Sequence, residues 1–493
     1  MKHLELQSGS DQRVLSQERE TDILNAVNSD RVAFARYKIR YQHKTSARRN
    51  PREPQWASIA TSPDGVRGVI AFAKRPCSYK TDNSGGGCTF CNLSIGNRDY
   101  RDVTTDDQLV ALESALATIL PYSPSVIELL PDGSFLNDDE LSVDTQIGVM
   151  KRLAREPNVK KVAIETRPEF CQADKVRNLV EELREDQSLE IYFGLETTDE
   201  FISETIHNKG YGVEEFKDAL CRIAQLDESL RRRINISVYS IIKPGYLSEK
   251  EAIASAIKTA LDIKALSDDM GIPIMIKFEP AVVSDGTLQG YLYSQHRYEP
   301  LSYFSVAEVI AKLSEHETQD RAKFGQRDDI DSFSHVAMIP DAANPDMFSS
   351  ADVVIYNAVQ MFNVHRDIRR FTSEIACVID SPEFKDWESR VCGDSGSSIR
   401  NLAHADNGAR ANDFQQRMLS VFNQIQSLNP SCNDFQNEAS TICANNALRL
   451  VNIRNIKSII GDKTNSSYFQ AEIVILNDEN FPQSIWIRIP ICT

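Results

Sequence analysis

The stretch KVAIETRPEFCQADKVRNLVEELREDQSLEIYFGLE, residues 161 to 196, reads as strand, helix, strand. KVAIET (161 to 166) and LEIYFGLE (189 to 196) are short apolar runs, and the segment between them is amphipathic. Two strands joined by a helical crossover run parallel. The same alternation extends in both directions, through GVRGVIAFA (65 to 73), SVIELL (125 to 130), INISVYSII (234 to 242) and IPIMIKFEP (272 to 280). In the intervening DDQLVALESALATIL, Leu109, Leu112, Leu116 and Ile119 share one helical face. Six such strands between residues 65 and 310 predict an α/β fold, and right-handed crossovers make a partial (βα)6 barrel the natural closure. Chemistry in such folds collects at the C-terminal ends of the strands.

The chain has 493 residues, 41% hydrophobic and 26% charged, with 21 Gly and 19 Pro, which excludes collagen-like, coiled-coil and wholly disordered chains. No run of about 18 apolar residues occurs, and the start MKHLELQSGSDQRVLSQE is polar and acidic where a signal peptide needs a basic start and an apolar core. The expectation is a cytoplasmic protein with no membrane partner. In that reducing setting the ten cysteines serve metal binding, catalysis or burial rather than a disulfide framework. The net charge of −16 hides an asymmetry. Residues 31 to 56 carry Arg31, Arg36, Lys38, Arg40, Lys44, Arg48, Arg49 and Arg52 against Glu53 alone, a local +7 beside a body of −23. This segment reads either as a phosphate-tracking arm, with Tyr37, Tyr41 and His43 available to stack on bases, or as a solvated basic helix or an arm docked on the acidic body.

Directly after the first strand comes RPCSYKTDNSGGGCTFCN (75 to 92), which spaces Cys77, Cys88 and Cys91 as C-x10-C-x2-C on a glycine-rich loop. Three thiolates suit a [4Fe-4S] cluster with one iron left without a protein ligand. Gly85, Gly86 and Gly87 permit the close backbone approach that wrapping a cluster requires. Zinc is the rival, but a structural zinc site wants four ligands and no second CxxC or nearby His supplies the fourth.

The chain here resembles the radical S-adenosylmethionine (SAM) superfamily, in which a three-cysteine loop follows the first strand of a partial α/β barrel. The wide first gap is similar to the branch containing the Elongator catalytic subunit. The resemblance implies that SAM chelates the open iron of a [4Fe-4S] cluster and is cleaved by one electron to methionine and a 5′-deoxyadenosyl radical, which abstracts a substrate hydrogen. It implies a flavodoxin- or ferredoxin-type electron donor. By the same resemblance Phe90 packs near the adenine, and Asp132, Gly133 and Ser134 in LLPDGSF stand where a glycine-rich turn meets the methionyl amino group. Glu165 and Arg167 end the third strand and Glu196 the fourth, where carboxylates can accept from ribose hydroxyls or an ammonium and an Arg can clamp a carboxylate. The alternative is that these three pair with one another as a buried ion network. Lys243 in IIKPG ends the fifth strand and points toward SAM or an anionic substrate.

A narrower likeness runs through DGSFLNDDEL, ETRPEFC, FGLETTDEFISETIHNKGYGVEEFKDA, IIKPGYLSEKEAI and GTLQGYLYSQHRYEPLSYFSVAEVI, in order. These motifs are similar to the family of the archaeosine synthase radical SAM subunit, which implies radical C–N cleavage on a lysine-modified deazaguanine in tRNA. Three functions remain open: tRNA base modification, a radical step on a free small molecule such as a natural-product intermediate, and a non-catalytic iron-sulfur or zinc protein.

The remaining cysteines, Cys171 among them, read as buried hydrophobes before anything reactive. His207 and Asn208 read as capping or packing, and Arg231, Arg232 and Arg233 as a solvated turn with RNA contact as the sharper alternative. The expected organisation is a basic N-terminal arm (1–58), a barrel (59–320), a helical extension (321–395) and a small α+β accessory domain (400–493). Within it 351 to 378 is helical, CGDSGSSIRN (392 to 401) is a linker, and YFQAEIVIL (468 to 476) with SIWIRIPI (484 to 491) is a hairpin.

Overall fold

A computed structural model describes residues 13–42, 50–62, 65–71, 77–79, 86–91, 103–129, 133–325, 349–405, 413–426, 435–459, 468–476 and 482–490. Two compact units emerge: Met1–Pro300 with Asp320–Ala337, and Leu301–Gln319 with Met338–Thr493.

The first unit opens with a helix, α1 (Gln17–Gln42), followed by β1 (Trp56–Ser62) and β2 (Gly65–Ala71). Thereafter strand and helix alternate: α2 (Thr105–Ile119), β3 (Val126–Leu129), α3 (Val143–Leu153), β4 (Lys161–Thr166), α4 (Ala173–Glu182), β5 (Ser188–Glu196), α5 (Val213–Ala224), β6 (Ile234–Ile242), α6 (Glu249–Met270), β7 (Ile274–Pro280), α7 (Leu288–Ser294) and β8 (Ala322–Phe324). The eight strands form one sheet in the order of the sequence, β1 antiparallel to β2 and every later pair parallel. All six expected strands are present, and β1 and β8 are additions at the two edges. WASIATS lacks the apolar alternation that marks a strand; pairing with β2 from Trp56–Ala71 to Ser62–Gly65 makes it one.

Side chains alternate across a strand. Phe193 meets Phe216 of α5 with ring centroids 5.2 Å apart, so Leu189, Ile191 and Phe193 of β5 face the helices. Glu190 and Tyr192 then face the other side, ahead of a register shift against β6 between Phe193 and Glu196. That opposite face is charged. Arg67 pairs with Glu128, and Lys161 lies 3.2 Å from Glu190, which also accepts from Ser237 at 2.7 Å. The Lys277 ammonium stands 3.6 Å above the Tyr192 ring. Burial opposes the Glu190 charge, but Lys277 and Lys161 more than offset it and hold its pKa at about 2.

At the opposite end of the strands two arginines close helix ends. Arg184 donates to the carbonyls of Ala154, Glu156, Pro157 and Val159, and Arg233 to those of Val180, Leu183, Arg184 and Gln187. Arg233 is therefore part of the scaffold, not of a solvated turn, whereas Arg232 pairs with Glu228 on the surface.

Within the first 57 residues, residues 17 to 42 form one continuous helix. Its weak periodicity is physical: only one narrow face docks, through residues such as Ile23, Asp30 and Lys38. Tyr37 reaches Asp285 rather than standing free to stack on bases, and Arg52 pairs with Asp106 and Asp107. Arg31, Arg36 and Arg40 stay exposed, while His43, Lys44, Arg48 and Arg49 lie outside the described residues.

In the second unit α8 (Tyr303–Glu315), α9 (Ser350–His365), α10 (Ile368–Ile375), α11 (Pro382–Val391), α12 (Ser398–Ala405), α13 (Asp413–Gln426) and α14 (Phe435–Asn445) precede a three-stranded sheet. The expected hairpin exists as β10 (Tyr468–Leu476) and β11 (Pro482–Pro490), with β9 (Arg449–Ile459) as a third strand on β10. The expected linker at 392 to 401 is instead part of the packed unit. The buried Glu308 carboxylate of α8 accepts from the backbone of Ser398 (2.9 Å) and Ile399 (3.1 Å), capping α12 from another helix, and Arg400 grips Glu388 and Asp380. Turn-forming residues there mark a tight cap, and nothing in their composition distinguishes it from a tether.

Asp352, which caps α9 by accepting from Ser349, is buried, and desolvation pushes its pKa up to about 6, with Glu383 adding to the rise. A folded-state pKa above the unfolded one means the folded chain holds this proton more tightly. The associated stability is present below the ordinary carboxylate pKa and is lost as pH rises through about 6. Asp352→Asn, which keeps the acceptor oxygen, should abolish this pH-dependent loss, leaving the variant more stable than wild type at pH 7.5 by about 3 kcal/mol and level with it near pH 4. Urea titrations at the two pH values measure the difference.

Candidate active site

The cysteine loop lies beyond the C-terminal end of β2. Gly86 (φ 75°) and Gly87 (φ 74°) are consecutive left-handed residues, a backbone that side chains other than glycine resist. Cys88 and Cys91 then sit on one tight turn, with the Cys91 N–H donating to the Cys88 carbonyl at 3.4 Å. The loop rests on the segment after β5. Thr89 donates its N–H to the His207 carbonyl (2.9 Å) and its hydroxyl to the Ile206 carbonyl (2.7 Å), while the Asn208 amide donates to the Gly87 carbonyl (2.9 Å). Near Cys77 the loop is tied to the end of β3. The buried Glu140 carboxylate accepts from the N–H (2.8 Å) and hydroxyl (2.9 Å) of Ser78, the N–H of Ser134 (2.8 Å) and the Asn137 amide (3.0 Å). Ser134 in turn accepts the Arg167 N–H at 3.1 Å, and the Phe135 N–H donates to the Glu165 carbonyl at 2.8 Å.

At the end of β5 lies a buried ion pair. Lys209 Nζ is 3.0 Å from Glu196 Oε1, with side chains 9% and 7% exposed. Gly194 makes the pair possible, because a Cβ there would come within 2.8 Å of the carboxylate and 2.9 Å of the ammonium. Glu196 holds a left-handed backbone (φ 69°), costly for a residue with a side chain and characteristic of positions that the surroundings over-determine. Arg167 lies between the rings of Tyr79 (4.2 Å) and Tyr211 (4.5 Å), pairs with Glu169 and donates to the Lys209 carbonyl at 3.2 Å. The Phe90 ring is 5.1 Å from the Lys209 ammonium. Burial opposes the charge of Lys209, but Glu196, then Tyr211 and Cys88, outweigh it and raise the pKa above the ordinary lysine value. Arg167 is raised likewise, against desolvation, by Glu169, Tyr211 and Cys88. Both cations therefore lie within electrostatic reach of Cys88.

Two nearby groups are held neutral. His207 is buried edge-on to Phe90 (5.1 Å), and desolvation, then Lys209, lowers its pKa to about 3. Neither ring nitrogen has a hydrogen-bond partner among the described residues. Burial pushes the Cys171 thiol up to about 12, as suits a buried hydrophobe.

The structure thus gathers Cys88, Phe90, Ser134, Arg167 and Glu196 into one connected site, with Gly133 (φ 125°) adjacent to Ser134. Cys77 and Cys91 are half-buried on the same loop, and Asp132 lies outside the described residues. Arg167 and Glu196 each pair with partners of their own, Glu169 and Lys209. Lys243 turns elsewhere: it donates to the Glu299 carbonyl at 2.6 Å beside the Tyr298 ring, from a left-handed backbone (φ 60°). Sequence reasoning passed over Lys209, Tyr211, Tyr79, Glu140 and Gly194. The NKGYG turn after a strand ending in Glu was the available signal for the first two.

Among the described residues no three His, Cys, Asp or Glu side chains stand close enough together to hold a metal ion. The donor chemistry still fits an iron-sulfur cluster. Cys77, Cys88 and Cys91 stand on one loop, two of them share a glycine-led turn, and the cations of Arg167 and Lys209 lie within electrostatic reach of Cys88.

The chain is similar to archaeosine synthase subunit beta. It is 26% identical over 260 residues to the protein of that name from Methanosarcina acetivorans, covering 52% of this chain and 70% of the relative. It is 27% identical over 200 residues to the one from Thermococcus kodakarensis, covering 41% and 57%. An uncharacterized protein of Methanocaldococcus jannaschii is 28% identical over 249 residues, covering 50% and 64%. The similarity to archaeosine synthase subunit beta thus spans about half of this chain. No protein-family model matches it. Among the described residues no helix is long and apolar enough to cross a membrane.

Proposed function

We propose that this chain is a radical SAM enzyme whose parallel sheet curves as a partial barrel and whose cysteine loop, Cys77, Cys88 and Cys91, holds a [4Fe-4S] cluster, with a tRNA base as substrate. The single observation that carries the reading is the glycine-led Cys88–Cys91 turn hydrogen-bonded to residues 206–208, directly before Lys209 of the buried Glu196–Lys209 pair. The similarity to archaeosine synthase subunit beta supports it.

When bound, the cluster and SAM together supply one-electron reductive cleavage to methionine and a 5′-deoxyadenosyl radical. The residues of this chain bind and orient. Phe90 offers a ring face or edge for the adenine, and Glu196, held in place by Lys209, would accept from ribose hydroxyls. Arg167, stiffened between Tyr79 and Tyr211, presents a cation to the methionyl carboxylate. The Gly133–Ser134 turn, fixed by Glu140, lies toward the amino group.

The exposed Arg31, Arg36 and Arg40 favour a polyanionic substrate over a small neutral one. Anaerobic reconstitution with iron and sulfide should give a brown protein that forms 5′-deoxyadenosine from SAM and dithionite, and a colourless, inactive protein would sink the reading. tRNA binding should weaken with salt, and glutamine at Arg36 and Arg40 should reduce the slope of log K against log salt by about one unit per residue. Salt-independent binding would point to a free small-molecule substrate instead.

A further inference from the structure

The N-terminal helix reaches the cysteine loop through one residue. Lys38, in the last turns of α1, is 5% exposed and its ammonium donates to the Cys88 carbonyl at 2.7 Å, with the Phe34 ring 5.9 Å away. Three sets of contacts fasten α1 to the sheet unit. Arg19 bonds Glu251 (2.7 Å) and the Tyr246 carbonyl (2.6 Å). The buried Asp30 collects the hydroxyls of Tyr246 (2.9 Å) and Tyr291 (3.3 Å) and the guanidinium of Arg297 (2.8 Å). Phe34 and Tyr37 pack on the Tyr291 ring, with centroids 5.9 and 5.7 Å away. Together these fix the rotation of α1, so that Lys38 faces inward while Arg31, Arg36 and Arg40 face solvent.

Desolvating and immobilising a lysine is costly, and a surface helix has no need of it. The ammonium lies within the span of a single residue from the Cys88 sulfur. A cation so placed lowers the energy of any added negative charge on a group ligated there, and a hydrogen bond to a ligand's own peptide limits how that ligand can move.

We propose that Lys38 is a positioning residue that pins the Cys88 peptide and, resting on the cluster reading above, makes the cluster held there easier to reduce. In the reduction one electron passes from the reductant to the cluster, whose charge falls by one, and no bond or proton changes place. Arg167 and Lys209 also act on Cys88, from the ends of β4 and β5. Lys38 comes from a different element, fifty positions away in the chain.

The test uses the full-length protein, reconstituted anaerobically, as wild type, Lys38→Met and Lys38→Arg. The reduced cluster is followed by electron paramagnetic resonance in a dithionite redox titration. At the wild-type midpoint potential, Lys38→Met should show a ratio of reduced to oxidised cluster about tenfold lower, equivalent to about 59 mV for one electron, and Lys38→Arg should recover most of it. In the metal-free proteins, amide hydrogen exchange across residues 86–91 should be faster in Lys38→Met than in wild type or Lys38→Arg. An unshifted midpoint in a fully loaded Lys38→Met protein overturns the proposal, and so does unchanged exchange. If Lys38→Met takes up no iron, exchange alone decides: acceleration supports the pinning role and its absence overturns it. A wild-type protein that itself takes up no cluster removes the cluster reading, while exchange still reads the hold of Lys38 on the loop.

Discussion

Cys88→Ala is expected to leave the fold intact and to lower iron-sulfur loading, and with it 5′-deoxyadenosine formation, by at least about 100-fold, because even outer-shell partners of a metal site are worth 10–100-fold. Cys88 is half-buried on a loop, so removing its sulfur forfeits little packing, and circular dichroism and melting of the metal-free variant should match wild type. The loss should therefore appear in iron content and in the visible absorption of the reconstituted protein. Cys91→Ala should behave alike, since it shares the turn. Two controls separate ligation from general thiol chemistry. Cys171 is buried with its thiol pushed up to about 12, and Cys221 is exposed on α5, so alanine at either should leave loading unchanged. Equal loading in Cys88→Ala and wild type would remove the cysteine loop from the cofactor site and with it the proposed chemistry.

The alternation of strand and helix was legible because parallel strands buried against helices are written as apolar runs. That pattern located all six central strands, from GVRGVIA to IMIKFEP. It missed β1, whose Ser, Ala and Thr residues carry no hydrophobic period and which exists only by pairing with β2. It also hid the charged face, because Glu190 and Lys277 are single polar residues inside runs that are apolar on average. The readings of the N-terminal segment stayed open for a related reason. Charge along a chain does not say which lysine turns inward, and Lys38 differs from Arg36 and Arg40 only in its angular position on α1, which the distant partners of Asp30 determine. In the site, residue types at strand ends identified Arg167 and Glu196, but their partners come from elsewhere. Glu196 is neutralised by Lys209, thirteen residues on, and the ends of the cysteine loop are held by Glu140, Asn208 and Thr89 through backbone groups that have no sequence signature. Lys243 shows the converse: a cation at the end of a strand whose recorded contacts are with residues 298 and 299.

Breaking the buried Glu196–Lys209 pair should cost the protein much of its stability. Glu196→Gln leaves the Lys209 ammonium desolvated with no counter-charge, and removing one partner of a buried pair typically costs about 3–5 kcal/mol. Tyr211 gives no relief, because its hydroxyl already donates to the Gly194 carbonyl at 2.5 Å. Glutamine keeps the size of the side chain and the left-handed backbone of residue 196, so the change isolates the charge. With Glu196 gone, desolvation, the largest influence on Lys209, acts with its main opponent removed, and the pKa falls below the ordinary 10.5. The sign of the pH effect follows. A lysine whose folded pKa lies below its unfolded value binds fewer protons when folded, so stability rises with pH between the two values. The deficit of Glu196→Gln should be full near pH 6 and should shrink as pH climbs toward 10. Wild type should show no such recovery, since there the Lys209 pKa is raised. Glu196→Gln/Lys209→Met removes both charges and should regain most of the lost stability, giving a coupling energy of several kcal/mol in the double-mutant cycle. Denaturant titrations of the four proteins at pH 6 and pH 9 measure both effects. Additive losses in the cycle would mean that the two side chains are stabilised independently, in which case the pair could not be what holds Glu196 in place beside the cysteine loop.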